Sequence, residues 1–167
     1  MADVFVGLGA NLGDPADTLR TAVRRLSQNI EVRRVSSLYR SEPVGLRDQP
    51  FFLNAVLAGA TSLRPVELIA LFLEIEREQG RVRTLAMGPR TLDLDLLLYD
   101  DIVLDEPSLG VPHPRMADRR FVLAPLAEIA PDVVHPVLRR SAAELLAVLP
   151  RQPVVERLER QGWPPEG

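Results

Sequence analysis

We predict one α+β domain of 167 residues, in which an antiparallel sheet carries two helices on one of its faces. Two observations lead to this prediction. Over residues 2–101 the apolar residues recur with strand and helix periodicity in the order β-α-β-β-α-β, the split β-α-β arrangement. Residues 102–160 are rich in proline and contain only two short helical segments, at 120–129 and 141–149. We expect this second part to form a C-terminal helical cap, so that residues 1–167 form a single domain.

The first half of the chain predicts three strands and one helix. Residues 4–8 are a short apolar run typical of a buried strand. Asp14 is placed to cap a helix that begins at Pro15, where leucine, alanine and valine recur at helical spacing over about four turns. Residues 32–40 and 51–60 then predict two strands joined by a long loop that is rich in proline.

A second amphipathic helix and a regular strand complete the predicted core. The helix is expected to begin at Pro65 and to end at Gly80. Its inward face would carry Leu68, Ile69, Leu71, Phe72 and Ile75, and its outward face Glu74, Glu76, Arg77 and Glu78. Residues 91–99 alternate with period two, which places leucines on one strand face and Asp93 and Asp95 on the other.

Composition excludes several classes of protein. The 20 basic and 23 acidic residues give a net charge of −3, which argues against general nucleic-acid binding. The chain has no cysteine and two histidines, so oxygen atoms would have to supply most ligands of any metal. No apolar run approaches the ~20 residues that span a bilayer, and the first residues lack the pattern of a secretory leader. We expect a cytoplasmic monomer with no membrane partner and no nucleic-acid partner.

The acidic strand is the strongest candidate site. Asp93 and Asp95 share one strand face with their Cα atoms about 7 Å apart, which suits one or two hard cations such as Mg²⁺. A solvent-facing strand would also carry such acids. Arg81, Arg83 and Arg90 lie in the loop that leads into this strand, and they predict either an ion-pair network or a clamp for a polyphosphate. The combination of acids and arginines indicates an enzyme that acts on a nucleoside triphosphate.

Other candidate segments are less specific. The glycine-rich residues 7–13 miss the dinucleotide-binding spacing by one position, and a P-loop needs a lysine that this chain lacks. We therefore interpret them as a tight turn between strand and helix. His113, between two prolines, is either a capping residue or, together with Arg119, a phosphate contact. His135 is interpreted as structural.

A possible surface for a flat ligand comes from residues that are weak signals one by one. Phe52, Asn54 and Phe121 would usually be assigned to the core or to a turn. As a set they suit a planar heteroaromatic ring, which aromatic side chains stack on and an amide holds by hydrogen bonds.

Six motifs in one order give the chain a resemblance to a known family. They are Gly7-Leu-Gly-Ala-Asn-Leu-Gly13, Ser36-Ser-Leu-Tyr-Arg40, Asp48-Gln-Pro50 with Asn54, Gln79-Gly-Arg-Val-Arg83, Gly88-Pro-Arg-Thr-Leu-Asp-Leu-Asp95 and Val111-Pro-His113. Over nearly its whole length the chain resembles the 6-hydroxymethyl-7,8-dihydropterin pyrophosphokinases. The resemblance implies a ferredoxin-like fold. It also implies transfer of diphosphate from ATP to the hydroxymethyl group of 6-hydroxymethyl-7,8-dihydropterin in folate biosynthesis, with AMP and the pterin diphosphate as products.

The same resemblance implies roles for individual residues. Asp93 and Asp95 would hold two Mg²⁺ ions, and Arg81 and Arg90 would assist catalysis from mobile loops. The residues that would contact the co-substrate ATP are Glu76, Arg83, Leu96, Leu109, His113 and Arg119. The residues that would contact the pterin are Ser41, Val44, Phe52, Asn54 and Phe121, with Ser41 and Val44 acting through their backbone groups.

Two other functions stay open from the sequence. One is a non-catalytic ferredoxin-like domain that binds a small ligand and regulates a partner, because that fold serves many functions. The other is the same enzyme class with a different small alcohol as acceptor. The acids beside three arginines favour an enzyme, and the stacking residues Phe52 and Phe121 favour a planar acceptor.

Overall fold

The computed structural model describes residues 1–11, 13–41, 51–80, 92–151, 154–159 and 162–165. Its strands are β1 (Ala2–Ala10), β2 (Glu31–Val35), β3 (Leu38–Ser41), β4 (Phe52–Thr61), β5 (Asp93–Tyr99), β6 (Leu104–Glu106), β7 (Leu109–Val111) and β8 (Val155–Leu158). Its α-helices are α1 (Pro15–Leu26), α2 (Pro65–Glu78), α3 (Arg120–Ile129) and α4 (Ala142–Ala147). None of the helices within these described ranges is long and apolar enough to cross a membrane.

An antiparallel sheet of six strands forms the centre of the molecule. Its order is β5-β1-β4-β3-β8, and β2 pairs with β4 beyond the end of β3. The strands β6 and β7 form a separate hairpin. The predicted α+β class with an antiparallel sheet is therefore confirmed.

Helices cover both faces of this sheet. The helices α1 and α2 pack with the side chains of Val4, Val6 and Leu8 in one apolar cluster. The helices α3 and α4 pack against Val56 and Leu98 in a second cluster. Because successive strand residues point to opposite faces, the two clusters lie on opposite sides of the sheet. The face that binds α3 is the one that carries the candidate site.

Two local signals at helix ends act as expected. Asp14 caps α1 by accepting the N–H of Asp17 at 3.1 Å, and Pro15 is the first helical residue. Gly80, just beyond α2, has a positive φ of 80°, a conformation that glycine adopts without a steric penalty. The first helix is slightly shorter than predicted, at 12 residues.

The strand predicted over 32–40 is in fact two strands, because a buried serine interrupts it. Ser36 is fully buried, its N–H donates to the carbonyl of Val56 at 2.9 Å, and its Oγ accepts the Val56 N–H at 2.9 Å. A side-chain hydroxyl thus replaces one backbone partner of the ladder, and the chain bends between β2 and β3. The alternation pattern contains no signal for this exchange.

The C-terminal part contains more than helices. The helix predicted at 120–129 has those bounds, whereas α4 is shorter than the predicted 141–149. Residues 155–158 form β8, which pairs with β3 and joins the central sheet. Farther on, the indole N–H of Trp163 donates to the carbonyl of Ser36 at 2.8 Å. The chain therefore returns to the sheet after the helices, which the predicted cap did not include.

Candidate active site

The face of the sheet that binds α3 carries a pocket of about 290 Å³, part of it open to solvent. It lies where β1, β4 and β5 meet the beginning of α3. Its lining includes four of the predicted site residues, Asn54, Asp93, Asp95 and Phe121. Sequence positions far apart in the chain thus meet around one space.

The register of β1 explains this meeting. Gly9 pairs with Asn54 on β4 and with Asp93 on β5, and Gly7 pairs with Asp95. These glycines face the pocket because the alternating residues of β1 face the opposite cluster. A Cβ at Gly9 would lie 3.1 Å from Asn54 Oδ1, so the absent side chain makes room for the carboxamide. The strand therefore forms a floor between the amide and the acids.

Asp95 lies beside an oriented imidazole. His113 Nε2 is 3.6 Å from Asp95 Oδ1, which is a close electrostatic contact but too long for a hydrogen bond. His113 Nδ1 accepts the N–H of Arg115 at 3.2 Å, so the neutral ring carries its proton on Nε2, toward the acid. Burial lowers the pKa of His113, the charge of Arg119 lowers it further, and Asp93 opposes both. The ring is therefore neutral near pH 7, and its Nε2–H is the group that can donate a hydrogen bond.

Asn54 has a fixed orientation. Its Nδ2 donates to Ser41 Oγ at 2.7 Å, and both side chains are buried. The carboxamide oxygen lies on the side of Gly9. Ser41 was expected to act through its backbone, and here its side chain holds the amide. The backbone contact with a ligand stays a prediction.

Phe121 links two groups of predicted residues. Its ring lines the pocket, and the guanidinium carbon of Arg119 lies 5.5 Å from the ring centroid, within the range of a cation–π contact. Arg119 is the residue that precedes α3. The residue predicted to bind ATP is thus in contact with one predicted to bind the pterin.

Glu76 does not lie on the outward face of α2, and that prediction is wrong. Its side chain is 3% exposed, and Oε2 accepts the backbone N–H of Leu94 at 2.9 Å. A carboxylate tolerates burial where hydrogen bonds replace water, and helix periodicity cannot reveal a partner on a distant strand.

The remaining predicted residues lie around the pocket or outside the described part. Leu96 has its side chain in the core, Leu109 is half-buried in β7, and Phe52 is half-buried at the start of β4. None of these three is among the residues that line the pocket. The predictions for Val44, Arg81, Arg83 and Arg90 lie outside the described residues.

Asp93 and Asp95 are suited to a metal site in which the protein supplies only some of the ligands. Across the described ranges, no three or more histidine, aspartate or glutamate side chains come together in a group that could hold an ion. Asp93 and Asp95 would therefore leave most coordination positions to other oxygen ligands. This is the usual mode of Mg²⁺, which binds one or two carboxylates together with substrate phosphates.

Comparison with known proteins identifies the family. The family model for 7,8-dihydro-6-hydroxymethylpterin-pyrophosphokinase (HPPK) matches residues 5–131. This chain belongs to the HPPK family. A 2-amino-4-hydroxy-6-hydroxymethyldihydropteridine pyrophosphokinase of Pseudomonas aeruginosa is 48% identical over 157 residues, which cover 93% of this chain and 96% of that protein. The protein of the same name in Bacillus subtilis is 49% identical over 131 residues, covering 77% of this chain and 78% of that one.

Solved structures agree with the fold. A crystal structure of a variant HPPK-DHPS of Plasmodium falciparum with pterin and p-hydrobenzoate superposes with a TM-score of 0.71 at 15% identity. The match covers 87% of this chain and 44% of that one. The HPPK segment of this chain, residues 5–131, contains every described candidate site residue, whereas β8 and Trp163 lie beyond it.

One pocket residue of this HPPK family member lies in a different element from the one predicted. Gly7 belongs to the strand predicted at residues 4–8 and overlaps the predicted turn, whereas Gly9 was interpreted as part of the turn alone; both lie within β1 and line the pocket. The available signal was their position: they occupy the gaps between Val6, Leu8 and Ala10, where a strand would place its second face. The turn itself comes later, at Gly13, which has a positive φ of 64°.

Proposed function

We propose that this chain transfers diphosphate from ATP to the hydroxymethyl group of 6-hydroxymethyl-7,8-dihydropterin, giving AMP and the pterin diphosphate. One observation carries the proposal. The pocket joins an acidic pair, Asp93 and Asp95, to a stacking ring and an oriented amide, Phe121 and Asn54. A phosphate-handling site and a planar-ring site thus adjoin, as a transfer between ATP and a pterin requires. The names of the relatives support the same activity.

The acceptor side is proposed to bind the pterin ring. Phe121 offers a flat apolar face. The bond from Asn54 Nδ2 to Ser41 fixes the amide, with Oδ1 on the side of Gly9 and suited to accept a ring N–H. We include Phe52 and the backbone of Ser41 and Val44 in this site. A planar acceptor fits these groups better than an aliphatic alcohol does.

The donor side is proposed to bind ATP and two Mg²⁺ ions. Asp93 and Asp95 would hold the ions, since both are on the pocket face and leave coordination positions open. When bound, Mg²⁺ supplies Lewis-acid neutralisation of the charge on the phosphate oxygens. The remaining donor-side residues are Arg81, Arg83, Leu96, Leu109, Arg90, His113 and Arg119.

His113 and Arg119 each have a task in this proposal. His113 accepts the Arg115 N–H at Nδ1, so the neutral ring carries its single proton on Nε2 and offers it as a hydrogen-bond donor toward the pocket. Arg119 contributes a permanent positive charge and supports the Phe121 ring from the side of α3. Their shared task is to hold the reacting groups in line, which supplies much of the rate in phosphoryl chemistry.

We further infer that the whole chain is one domain with a ferredoxin-like core at about 2–101, covered by residues 102–160. The order β5-β1-β4 with β2 and β3 outside it supports this assignment. So does the placement of α1 and α2 in one cluster.

The direct test is product analysis. ATP, Mg²⁺ and the pterin are incubated with the protein, with the mixture lacking pterin as a blank, and nucleotides are separated. AMP that depends on pterin is expected, and it should be lost in Asp93→Asn and Asp95→Asn. Asp105→Asn, which alters an exposed acid in β6, is the matched control.

Other products would refute the proposal in distinct ways. ADP in place of AMP would mean transfer of a single phosphoryl group. AMP formation with other alcohols and not with the pterin would change the acceptor. The absence of any nucleotide product across a panel of small alcohols would favour a ligand-binding domain.

A further inference from the structure

Glu76 is an unusual residue for the inner side of a helix. Among the residues that the structure describes, it is the one acidic side chain classed as buried. It lies on α2 next to Ile75, which is fully buried in the apolar cluster. A buried carboxylate is unfavourable unless hydrogen bonds replace its water, so its presence here calls for a specific partner.

One partner lies on the acidic strand. The Oε2 of Glu76 accepts the N–H of Leu94 at 2.9 Å. Leu94 is the residue between Asp93 and Asp95, and its own side chain points to the opposite face, into the core. The side chain of Glu76 therefore contacts the backbone of the acidic strand, and it does so from the face opposite the pocket.

The strand needs such a contact because it is at the edge of the sheet. Among the strands that the structure describes, β5 pairs with β1 on one side and with no strand of the central sheet on the other. On this outer side the backbone N–H of His113 donates to the carbonyl of Leu97 at 3.0 Å. The outer edge of β5 is thus hydrogen-bonded on both sides of Asp95, to the Glu76 carboxyl at Leu94 and to the His113 backbone at Leu97.

We propose that Glu76 is a positioning residue, whose carboxylate fixes the beginning of β5 and thereby the direction and spacing of Asp93 and Asp95. It acts on the two acids through the Leu94 N–H. This inference rests on the proposed function in so far as the two acids carry the reaction. It adds a task for Glu76 to the ATP contact that the family resemblance implies.

Two variants of Glu76 test whether its hydrogen bond to Leu94 positions the acids. Glu76→Gln keeps an oxygen acceptor for Leu94 and removes the charge, whereas Glu76→Met keeps similar length and removes the acceptor. Glu74→Met is the matched control, because Glu74 lies on the same helix, is exposed and pairs with Arg25.

The first measurement needs no activity. Amide hydrogen exchange of Leu94 is followed by NMR in the ligand-free protein. Exchange should be about tenfold faster or more in Glu76→Met, and within about threefold of wild type in Glu76→Gln. The Leu57 amide in the centre of the sheet should not change in any variant. Unchanged Leu94 exchange in Glu76→Met would overturn the proposal.

The second measurement is a titration with Mg²⁺ alone, read at the amides of residues 93–95. The Mg²⁺ concentration at the midpoint should rise several-fold in Glu76→Met and stay near that of wild type in Glu76→Gln and Glu74→Met. Pterin-dependent AMP formation should fall in Glu76→Met and stay near that of wild type in Glu74→Met. A Mg²⁺ midpoint that is unchanged in Glu76→Met would show that Glu76 does not position the acids, and the proposal would be wrong.

Failure of folding leaves the test intact. If Glu76→Met does not fold, Glu76→Gln decides, since positioning requires that it keep both the Leu94 protection and the Mg²⁺ midpoint of wild type. If wild type forms no AMP, the proposed function fails while the exchange and Mg²⁺ results still report on the strand. The two failures are thus distinguishable.

Discussion

Replacing Glu128 by alanine should remove the hydrogen bonds between α3 and the start of β3 and lower the free energy of unfolding by about 3 kcal/mol. Glu128 accepts the N–H of Ser37 at 3.0 Å and the hydroxyl of Tyr39 at 2.8 Å, and Arg157 lies 3.6 Å away. Three donors would lose their acceptor, because the Ser37 hydroxyl also donates to Glu128, at 3.1 Å. Tyr39 is buried and Ser37 is half-buried. The Tyr39 hydroxyl and the fixed Ser37 N–H would each cost about 1.5 kcal/mol, whereas the Ser37 hydroxyl can rotate toward solvent. The exposed ion pair with Arg157 adds little.

A double-mutant cycle tests this reasoning. Tyr39→Phe alone should cost about 1.5 kcal/mol, because it removes one hydrogen bond to a charged acceptor. The double variant should be no less stable than Glu128→Ala, which gives a coupling energy of about 1.5 kcal/mol. The assay is urea unfolding followed by far-ultraviolet circular dichroism, with the slope m compared among variants. A coupling energy below about 0.3 kcal/mol would show that the two groups act independently and would refute the argument.

Alkaline pH gives the same interaction a second readout. Burial, followed by the hydrogen bond to Glu128, raises the pKa of Tyr39 above its ordinary value of 10.0. The folded state then holds the phenolic proton more tightly than the unfolded state does. This contribution is complete below pH 10 and is lost as pH rises toward the folded-state pKa. Tyr39→Phe should therefore lose less stability than wild type above pH 10.

Three further predictions concern single positions. Gly59→Ala should lower the free energy of unfolding by about 1–3 kcal/mol in thermal denaturation, since its Cβ would lie 2.5 Å from the backbone oxygen of Glu31; an unchanged melting temperature would contradict this. Burial lowers the pKa of His135, so wild type should lose stability as pH falls below 6.5, and His135→Gln should flatten that slope in urea titrations at pH 7.5 and 5. Equal slopes would be the contrary result. Gly9→Ala should weaken pterin binding in calorimetry and leave folding intact, because its Cβ would lie 3.1 Å from Asn54 Oδ1. Unchanged affinity would show that Gly9 and this part of β1 are not part of the pterin site.

Elements with a regular pattern could be predicted, because local periodicity determines which face is buried. The strand that carries Asp93 and Asp95 is the best example, since leucines alternate with the acids up to Leu96. Beyond it the register shifts, and Leu97 and Leu98 both turn to the other cluster. A bulge of this kind depends on the partner strand, so the alternation alone cannot locate it.

The parts that could not be predicted depend on distant partners. Ser36 interrupts a strand because it meets Val56, and Glu76 is buried because it meets Leu94. Strand β8 is four residues long, too short for its periodicity to be distinguished from a loop. The residue types of the site could be predicted from the sequence. The orientation of the Asn54 amide could not, because it depends on a hydrogen bond to Ser41 on the neighbouring strand.

The contact between Trp163 and Ser36 has a practical consequence for spectroscopy. Trp163 is the single tryptophan of the chain. Its indole donates to Ser36 at the break between β2 and β3 and packs, half-buried, against the first apolar cluster. Tyr39 and Tyr99 are the chain's two tyrosines, and both are buried in the sheet. Indole fluorescence therefore reports the docking of the C-terminal segment, and tyrosine signals report the sheet. An unfolding curve recorded only by tryptophan emission measures detachment of that segment, and it equals global unfolding only where the two signals coincide.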